Sequence, residues 1–281
     1  MGESLRVTDA MAVAVGGLHP LYAMRLGACL GRALESERPL VVLAKDPRQS
    51  SYMLEAALQA GLSASGADVL LASSLPEPGL RYLTRTFHAD AGVMIGAANM
   101  PHPYSDLTLF DGNGAPYSTE QRQAVEPQLD QPLMCVSSDR LGKATKITDA
   151  VGRYVEYCKS RFSAGVALKG IGVLVDTAHG ACHKVAPKVL TELGAQVTLR
   201  RGDPNGFNIN NQSLVQVEAS LADAMATRSV QFALGLNSEG SGFVLLNDCG
   251  MVIADHWKDE QLHCRDGMVE ALAELSRHLQ R

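Results

Sequence analysis

Short apolar runs bounded by turn residues alternate along this chain with stretches of helical spacing. Leu40 to Ala44, bounded by Pro39 and by Lys45-Asp46-Pro47, reads as a strand buried on both faces. Ser50 or Ser51 then caps a helix running to about Gly61, with Met53, Ala57 and Leu58 on one face. Asp68 to Ala72 is a second strand. Pro78 sits in the first turn of a helix through Leu80, Leu83 and Phe87, where a missing N–H costs nothing. Ala91 to Ile95 and Leu107 to Phe110 are further strands, and Asp111-Gly112-Asn113-Gly114 is a turn. A polar helix follows from Thr119 to about Leu129. This alternation predicts an α/β layer structure with a mainly parallel sheet.

Residues 131–145 show little periodicity and read as a link between domains. The alternation then resumes. Thr148 to Phe162 is a helix and Gly172 to Asp176 a strand. A helix over Val185, Val189, Leu190 and Leu193 stops at Gly194. Gln196 to Arg200 and Phe232 to Leu236 are strands on either side of a helix at about Gln216 to Ala226. Phe243 to Leu246 and Met251 to Ala254 flank Asn247-Asp248-Cys249-Gly250 as a hairpin. Leu262, Val269, Leu272, Leu275 and Leu279 give the last stretch helical spacing. The expected division is 1–140, 141–260 and a C-terminal helix at 261–281. That helix either covers the second domain or binds another chain.

Composition narrows the partners. The chain has 281 residues and a formal net charge of −5, which argues against nucleic acid as a ligand. No run of about 18 apolar residues occurs, so membrane insertion is not expected. The first residues lack the basic-then-apolar order of a secretion signal. Six cysteines are scattered without a C-x-x-C pair, which fits free thiols in a reducing, cytoplasmic setting.

Several loops carry specific motifs. Lys45-Asp46-Pro47-Arg48 leads into a helix, and Tyr82 to Phe87 precedes the stretch Gly92 to Pro101. Gly152-Arg153-Tyr154-Val155-Glu156-Tyr157-Cys158-Lys159 opens the second domain. Val175-Asp176-Thr177-Ala178-His179-Gly180 and Pro204-Asn205-Gly206-Phe207-Asn208-Ile209-Asn210 follow in order. Together they resemble the bacterial phosphoglucosamine mutases of the α-D-phosphohexomutase family. The resemblance implies two consecutive phosphohexomutase-type α/β domains, I and II, with mixed, mainly parallel sheets. It also implies that the family's third and fourth domains are not represented. Their Gly-Glu-x-Ser-Gly-His and Arg-x-Ser-Gly-Thr-Glu-Pro motifs do not occur in this sequence.

The departures from the family pattern concern its chemistry. Ala98 occupies the place of the serine that carries phosphate in the family loop Ser-Ala-Ser-His-Asn-Pro, and a methyl group cannot hold a phosphoryl group. Asn99 and Met100 replace its histidine and asparagine, and Thr108 replaces a basic residue. Asn237, Glu239 and Ser241 occupy the places of three aspartates that hold Mg²⁺ in the family. No metal and no cofactor are therefore expected.

These changes lead to the expectation of a catalytically inactive protein, with a binding or regulatory role exercised through a protein partner or a homodimer. Two alternatives stand beside it: a minimal or split phosphohexomutase, and a non-catalytic sensor with weak phosphosugar binding. Lys45 and Arg48 are the candidates for residual anion binding, against a reading as solvated charge on a surface loop and a third in which Asp46 instead pairs with one of them. Ser105, in the same loop as Ala98, and Ser73, Ser74 and Ser241 are the alternative hydroxyls. His179, Cys182 and His183 form one cluster of metal-ligating residue types, and His256, Glu260 and His263 another at helical spacing. Exposed polar residues are the expected reading of both.

Overall fold

The computed structural model describes residues 13–14, 19–97, 99–125, 129, 131–163, 165–212, 214–226, 230–257 and 265–280. The backbone divides into two compact units. The first comprises Met1–Ser73, Leu80–Ala97 and Pro103–Thr148, and the second Ser74–Gly79, Ala98–His102 and Asp149–Arg281.

The first unit holds a six-stranded sheet. Its strands are β1 (Val13–Ala14), β2 (Leu40–Lys45), β3 (Asp68–Ser74), β4 (Ala91–Gly96), β5 (Tyr104–Asp111) and β6 (Ala144–Lys146), in the order β1-β5-β4-β2-β3-β6. β2 and β4 run parallel with Leu43 opposite Val93, while β5 is antiparallel to both β4 and β1. Every residue of β4 is buried, as its unbroken apolar run predicts. The expected link at 131–145 is corrected at its end. Ala144–Lys146 adds a parallel edge strand to β3, with Val69 opposite Ala144. Three residues, two of them exposed, are too few to show periodicity.

Helices α1 (Pro20–Ala33), α2 (Gln49–Ser65), α3 (Glu77–Thr86) and α4 (Thr119–Val125) alternate with these strands along the chain. The buried face of α2 is Ser51, Leu54, Leu58, Gly61 and Leu62, displaced by one position from the expected face, and Met53 is exposed. Neither Ser50 nor Ser51 caps α2. Arg48 is the capping residue, without a side-chain cap bond, because Ser51 Oγ donates instead to Asp46 Oδ1 at 2.7 Å. α1 is not among the expected helices, and much of its buried face is small: Ala23, Gly27, Ala28, Cys29 and Gly31 accompany Leu26 and Leu30.

Those small residues set the approach of α1 to α2. A β-carbon at Gly61 would lie 1.9 Å from the Met24 carbonyl oxygen, and one at Gly27 would lie 2.5 Å from that of Leu58. The helices touch backbone to backbone, and Leu26, Leu30, Leu54, Leu58 and Leu62 join Val41, Leu43, Val93 and Ile95 in one core.

The second unit holds a five-stranded sheet of β7 (Gly172–Asp176), β8 (Gln196–Arg200), β9 (Phe232–Leu236), β10 (Phe243–Leu246) and β11 (Val252–Asp255), ordered β11-β10-β9-β7-β8. β7 runs parallel to both β8 and β9, and β10 is antiparallel to β9 and β11. Its helices are α5 (Ala150–Ser160), α6 (Val185–Glu192), α7 (Leu214–Ala226) and α8 (Gly267–Leu279). α7 and the sheet enclose Leu174, Val217, Leu221, Ala233, Val244, Leu246 and Trp257.

The terminal helix belongs to this unit. Met268, Ala271, Leu272 and Leu275 are buried, and α8 lies against β9 and β10. Asp266 caps it by accepting from the Val269 N–H at 3.0 Å, and it also accepts from the Tyr154 hydroxyl at 2.8 Å. Of the second histidine cluster, His256 follows β11 and its Nδ1 lies 2.7 Å from Arg265 Nη1. Glu260 and His263 lie outside the described residues, as does Leu262.

Gly61→Ala and Gly27→Ala are each expected to destabilise the protein by about 1–3 kcal/mol, since the added methyl meets backbone that cannot yield locally. Urea unfolding checks this against Gly152→Ala. That position has nothing within 4 Å of an added β-carbon, so Ala should be neutral or stabilising by up to about 1 kcal/mol.

Candidate functional site

In each unit the chain leaves a central parallel strand toward one side of the sheet and later returns on the other. β2 lies between β3 and β4, and β7 between β8 and β9. Loops diverge at such a switch point, and the crevice beyond the carboxyl ends of the strands is where open α/β sheets bind ligands.

At the switch point of the first unit, Lys45 ends β2 and Asp46 donates its backbone N–H to Ile95 O at 2.9 Å. Arg48 is completely buried. Its Nε donates to Asp46 Oδ2 at 2.6 Å, Nη1 to Tyr104 O at 3.0 Å and Nη2 to Ala97 O at 2.7 Å. One guanidinium therefore clips both ends of the loop that contains residue 98. Burial pushes the Asp46 carboxyl up, while the Arg48 charge and the Ser51 hydroxyl pull it back. Lys45 is buried too, bonded to Glu55 and lying under the Tyr52 ring with Nζ 4.3 Å from its centroid.

The reading of Lys45 and Arg48 as solvated surface charge is thus corrected: each sits beside a carboxylate of its own unit. Ser105 is fully buried and shares a 2.7 Å hydrogen bond with Ser50. Ala98 lies outside the described residues.

Arg48→Met leaves the Asp46 carboxylate buried without its counter-charge. A loss of about 3–5 kcal/mol is expected, read from the shift of the urea midpoint. Asp46→Asn combined with Arg48→Met should recover part of that loss.

At the switch point of the second unit, the loop after β7 meets the loop after β8. Arg201 Nε donates to both Asp176 oxygens at 2.8 Å. The Arg201 carbonyl accepts from Thr177 Oγ1 at 2.9 Å and from the His179 backbone N–H at 2.6 Å. Asn210 donates its backbone N–H to Ala178 O at 3.1 Å, and Nδ2 to Ser238 Oγ at 2.8 Å and Met100 O at 3.2 Å. The His102 ring meets Phe207 edge-on, with centroids 5.8 Å apart. Arg201 was not singled out from the sequence, and Phe207 and Asn210 entered only as members of the motif at 204–210, without a role. The available signal was an arginine directly beyond a strand's carboxyl end.

The loop after β9 tests whether Mg²⁺ fits. Asn237 Nδ2 donates to Ser241 Oγ at 3.2 Å, and the Ser241 backbone N–H donates to Asn237 Oδ1 at 3.1 Å. The amide and the hydroxyl thus close a turn on each other, and Glu239 is the loop's sole carboxylate. Mg²⁺ requires near-octahedral oxygen ligands, usually with carboxylates among them, so these residues do not fit the ion. Among the described residues no group of three or more His, Cys, Asp or Glu is arranged to hold a metal.

In the first histidine cluster, His183 Nδ1 lies 2.9 Å from Gly180 O, and burial raises the Cys182 thiol pKa. Burial also pushes both the His179 and His183 imidazoles below the ordinary histidine range, with Arg201 adding to the effect at His179. The unfolded chain is then the better proton binder. Stability from this source is full above the unfolded value of about 6.5 and is lost as pH falls from there through the lower folded values. The urea midpoint is expected to drop between pH 7.5 and pH 5.5, and His183→Gln should flatten that slope.

Residues 7–133 match the family model for phosphoglucomutase/phosphomannomutase, alpha/beta/alpha domain I. Proteins named phosphoglucosamine mutase are similar over most of the chain. That of Shewanella halifaxensis is 40% identical over 242 residues, covering 86% of this chain and 54% of the relative. That of Burkholderia multivorans is 45% identical over 253 residues, covering 85% and 55%. The chain thus spans about half the length of the curated relatives it matches.

Among solved structures, a phosphoglucomutase/phosphomannomutase family protein of Burkholderia thailandensis shares the fold with a TM-score of 0.73 at 19% identity, covering 86% of this chain and 54% of that one. Paramecium pp63/parafusin, a phosphoglucomutase in its open form, gives 0.67 at 13% identity, covering 89% and 53%. The expectation of a protein that is not an enzyme is corrected by these relatives, whose name is that of an enzyme. The physical reason is that phosphoryl transfer depends mainly on positioning and electrostatics spread over a whole scaffold, so changes in two loops do not establish its loss. No helix among the described residues is long and apolar enough to cross a membrane.

Proposed function

The chain is phosphoglucosamine-mutase-like and carries the phosphohexomutase domain I at residues 7–133, and from that premise we propose that it handles hexosamine phosphates in phosphoryl-transfer chemistry. The observation that carries this reading is 38–45% identity to proteins named phosphoglucosamine mutase over 85–89% of the chain. The loops at the two switch points support it, since they follow the family's order.

Within this reading, the loop bearing Ala98 keeps its mounting on Arg48 but contributes no hydroxyl at that residue. The phosphoryl group is carried by a residue other than 98. The sugar-reading and phosphate-clamping loops of the family's third and fourth domains come from further polypeptide, on the same protein or on a partner chain. A cytoplasmic setting accompanies the proposal, supported by five free thiols among the described residues.

Incubation with glucosamine 6-phosphate, glucose 1,6-bisphosphate and Mg²⁺, with and without a polypeptide carrying family domains three and four, tests it. A new sugar-phosphate resonance in the ³¹P spectrum is expected, with a phosphate adduct in the intact mass that maps away from residue 98. Absence of turnover, together with no rise in Tm at millimolar phosphosugar, would overturn the proposal.

A further inference from the structure

We infer that the second unit carries an oxyanion site on Arg201, flanked by His179, that takes the phosphate of a sugar phosphate; the inference rests on the proposed phosphosugar reading and names the group that holds its phosphate.

The first argument is unpaired hydrogen-bonding capacity. Arg201 is 89% buried at its side chain, being 11% exposed, and Asp176 takes only its Nε. Nη1 and Nη2 are both buried and have no hydrogen-bond partner among the described residues. Four buried N–H groups left unmade are costly, and such groups in a folded protein call for a water or a ligand. A guanidinium fork matches phosphate oxygens two at a time, which an ammonium does not. His179 Nδ1 is likewise buried and unpartnered. Its ring also bonds the Asp203 backbone, so Nδ1 is left to meet a hydroxyl of the sugar.

The second argument is strain. Seven non-glycine residues among those described have a left-handed backbone, and Asn99, Ala178, His179, Arg201 and Asn210 are five of them, at φ between 42° and 58°. All five lie in loops of the second unit joined by the Asn210 and His179 hydrogen bonds. Backbone in this region is strained for a residue with a β-carbon and concentrates at functional sites.

The third argument is charge. The loop after β9 does not fit Mg²⁺, so a phosphate near it lacks the metal's neutralisation. Arg201 supplies a fixed positive charge at the same end of the sheet, oriented in advance by Asp176. The site stands at the β7 switch point, where the sheet topology favours a ligand.

Calorimetric titration with inorganic phosphate and with glucosamine 6-phosphate, on the whole chain and its variants, tests the assignment. The unaltered protein is expected to bind both. Arg201→Lys keeps a charge beside Asp176 but lacks the fork, and should bind both at least tenfold more weakly. Arg201→Met should bind neither. His179→Asn should weaken glucosamine 6-phosphate several-fold and leave inorganic phosphate unchanged. Equal affinity in Arg201→Lys and the unaltered protein, or no binding of either probe by the unaltered protein, overturns the inference. Binding through Arg201 without any turnover sustains the inference while the phosphoryl-transfer reading fails. Turnover undisturbed in Arg201→Lys does the reverse.

Discussion

A guanidinium sealed from water organises the first unit. Arg48 spends its donors on the Asp46 carboxylate and on two backbone carbonyls, those of Ala97 and Tyr104. The carbonyls belong to opposite ends of one loop, so a single side chain sets where that loop leaves β4 and where it rejoins β5. Asp46 is positioned in turn by β2, whose register against β4 is fixed by five residue pairs. A buried ion pair of this kind adds little net stability over an apolar substitute, and its value lies in specifying geometry. The loop can change its side chains, as it has at residue 98, without losing its mounting.

The second unit repeats the arrangement with a difference in how the cation is used. Asp176 is the last residue of a central parallel strand, where Asp46 directly follows one, and again faces an arginine. Arg201 closes one carboxylate with one nitrogen and keeps its outer two unspent, whereas Arg48 reaches across to main chain with both. Similar residue pairs at similar places in a fold can therefore serve as a fastening in one unit and as a binding group in the other. Fold similarity alone does not distinguish these roles, and the hydrogen-bond inventory of each side chain does.

Central strands were legible in the sequence because burial on both faces demands uninterrupted apolar runs, as in Leu40 to Ala44 and Gly172 to Asp176. Elements whose side chains are small or few were not. α1 depends on Gly27 fitting the backbone of α2 at Leu58 and on Gly31 admitting the Ser65 side chain, and hydrophobic periodicity does not register glycine contacts. β6 has three residues and a mostly exposed face. Residue identity at Ala98, Asn237 and Ser241 could be read without geometry. The burial of Arg48 could not, because a charge beside proline in a short loop has the composition of a solvated turn. Arg201 was passed over because its significance lies in nitrogens left unpaired, a property that exists only once the chain is folded.

The hydroxyl of Tyr154 in α5 and the Val269 amide in the first turn of α8 share the Asp266 carboxylate. This ties the start of the last helix to a residue more than a hundred positions earlier in the chain. The tail end is therefore not an appendage free to fray on its own: its opening breaks a side-chain bond in α5 and uncovers β9 and β10. The closing segment and the second sheet gain or lose their order as one cooperative body.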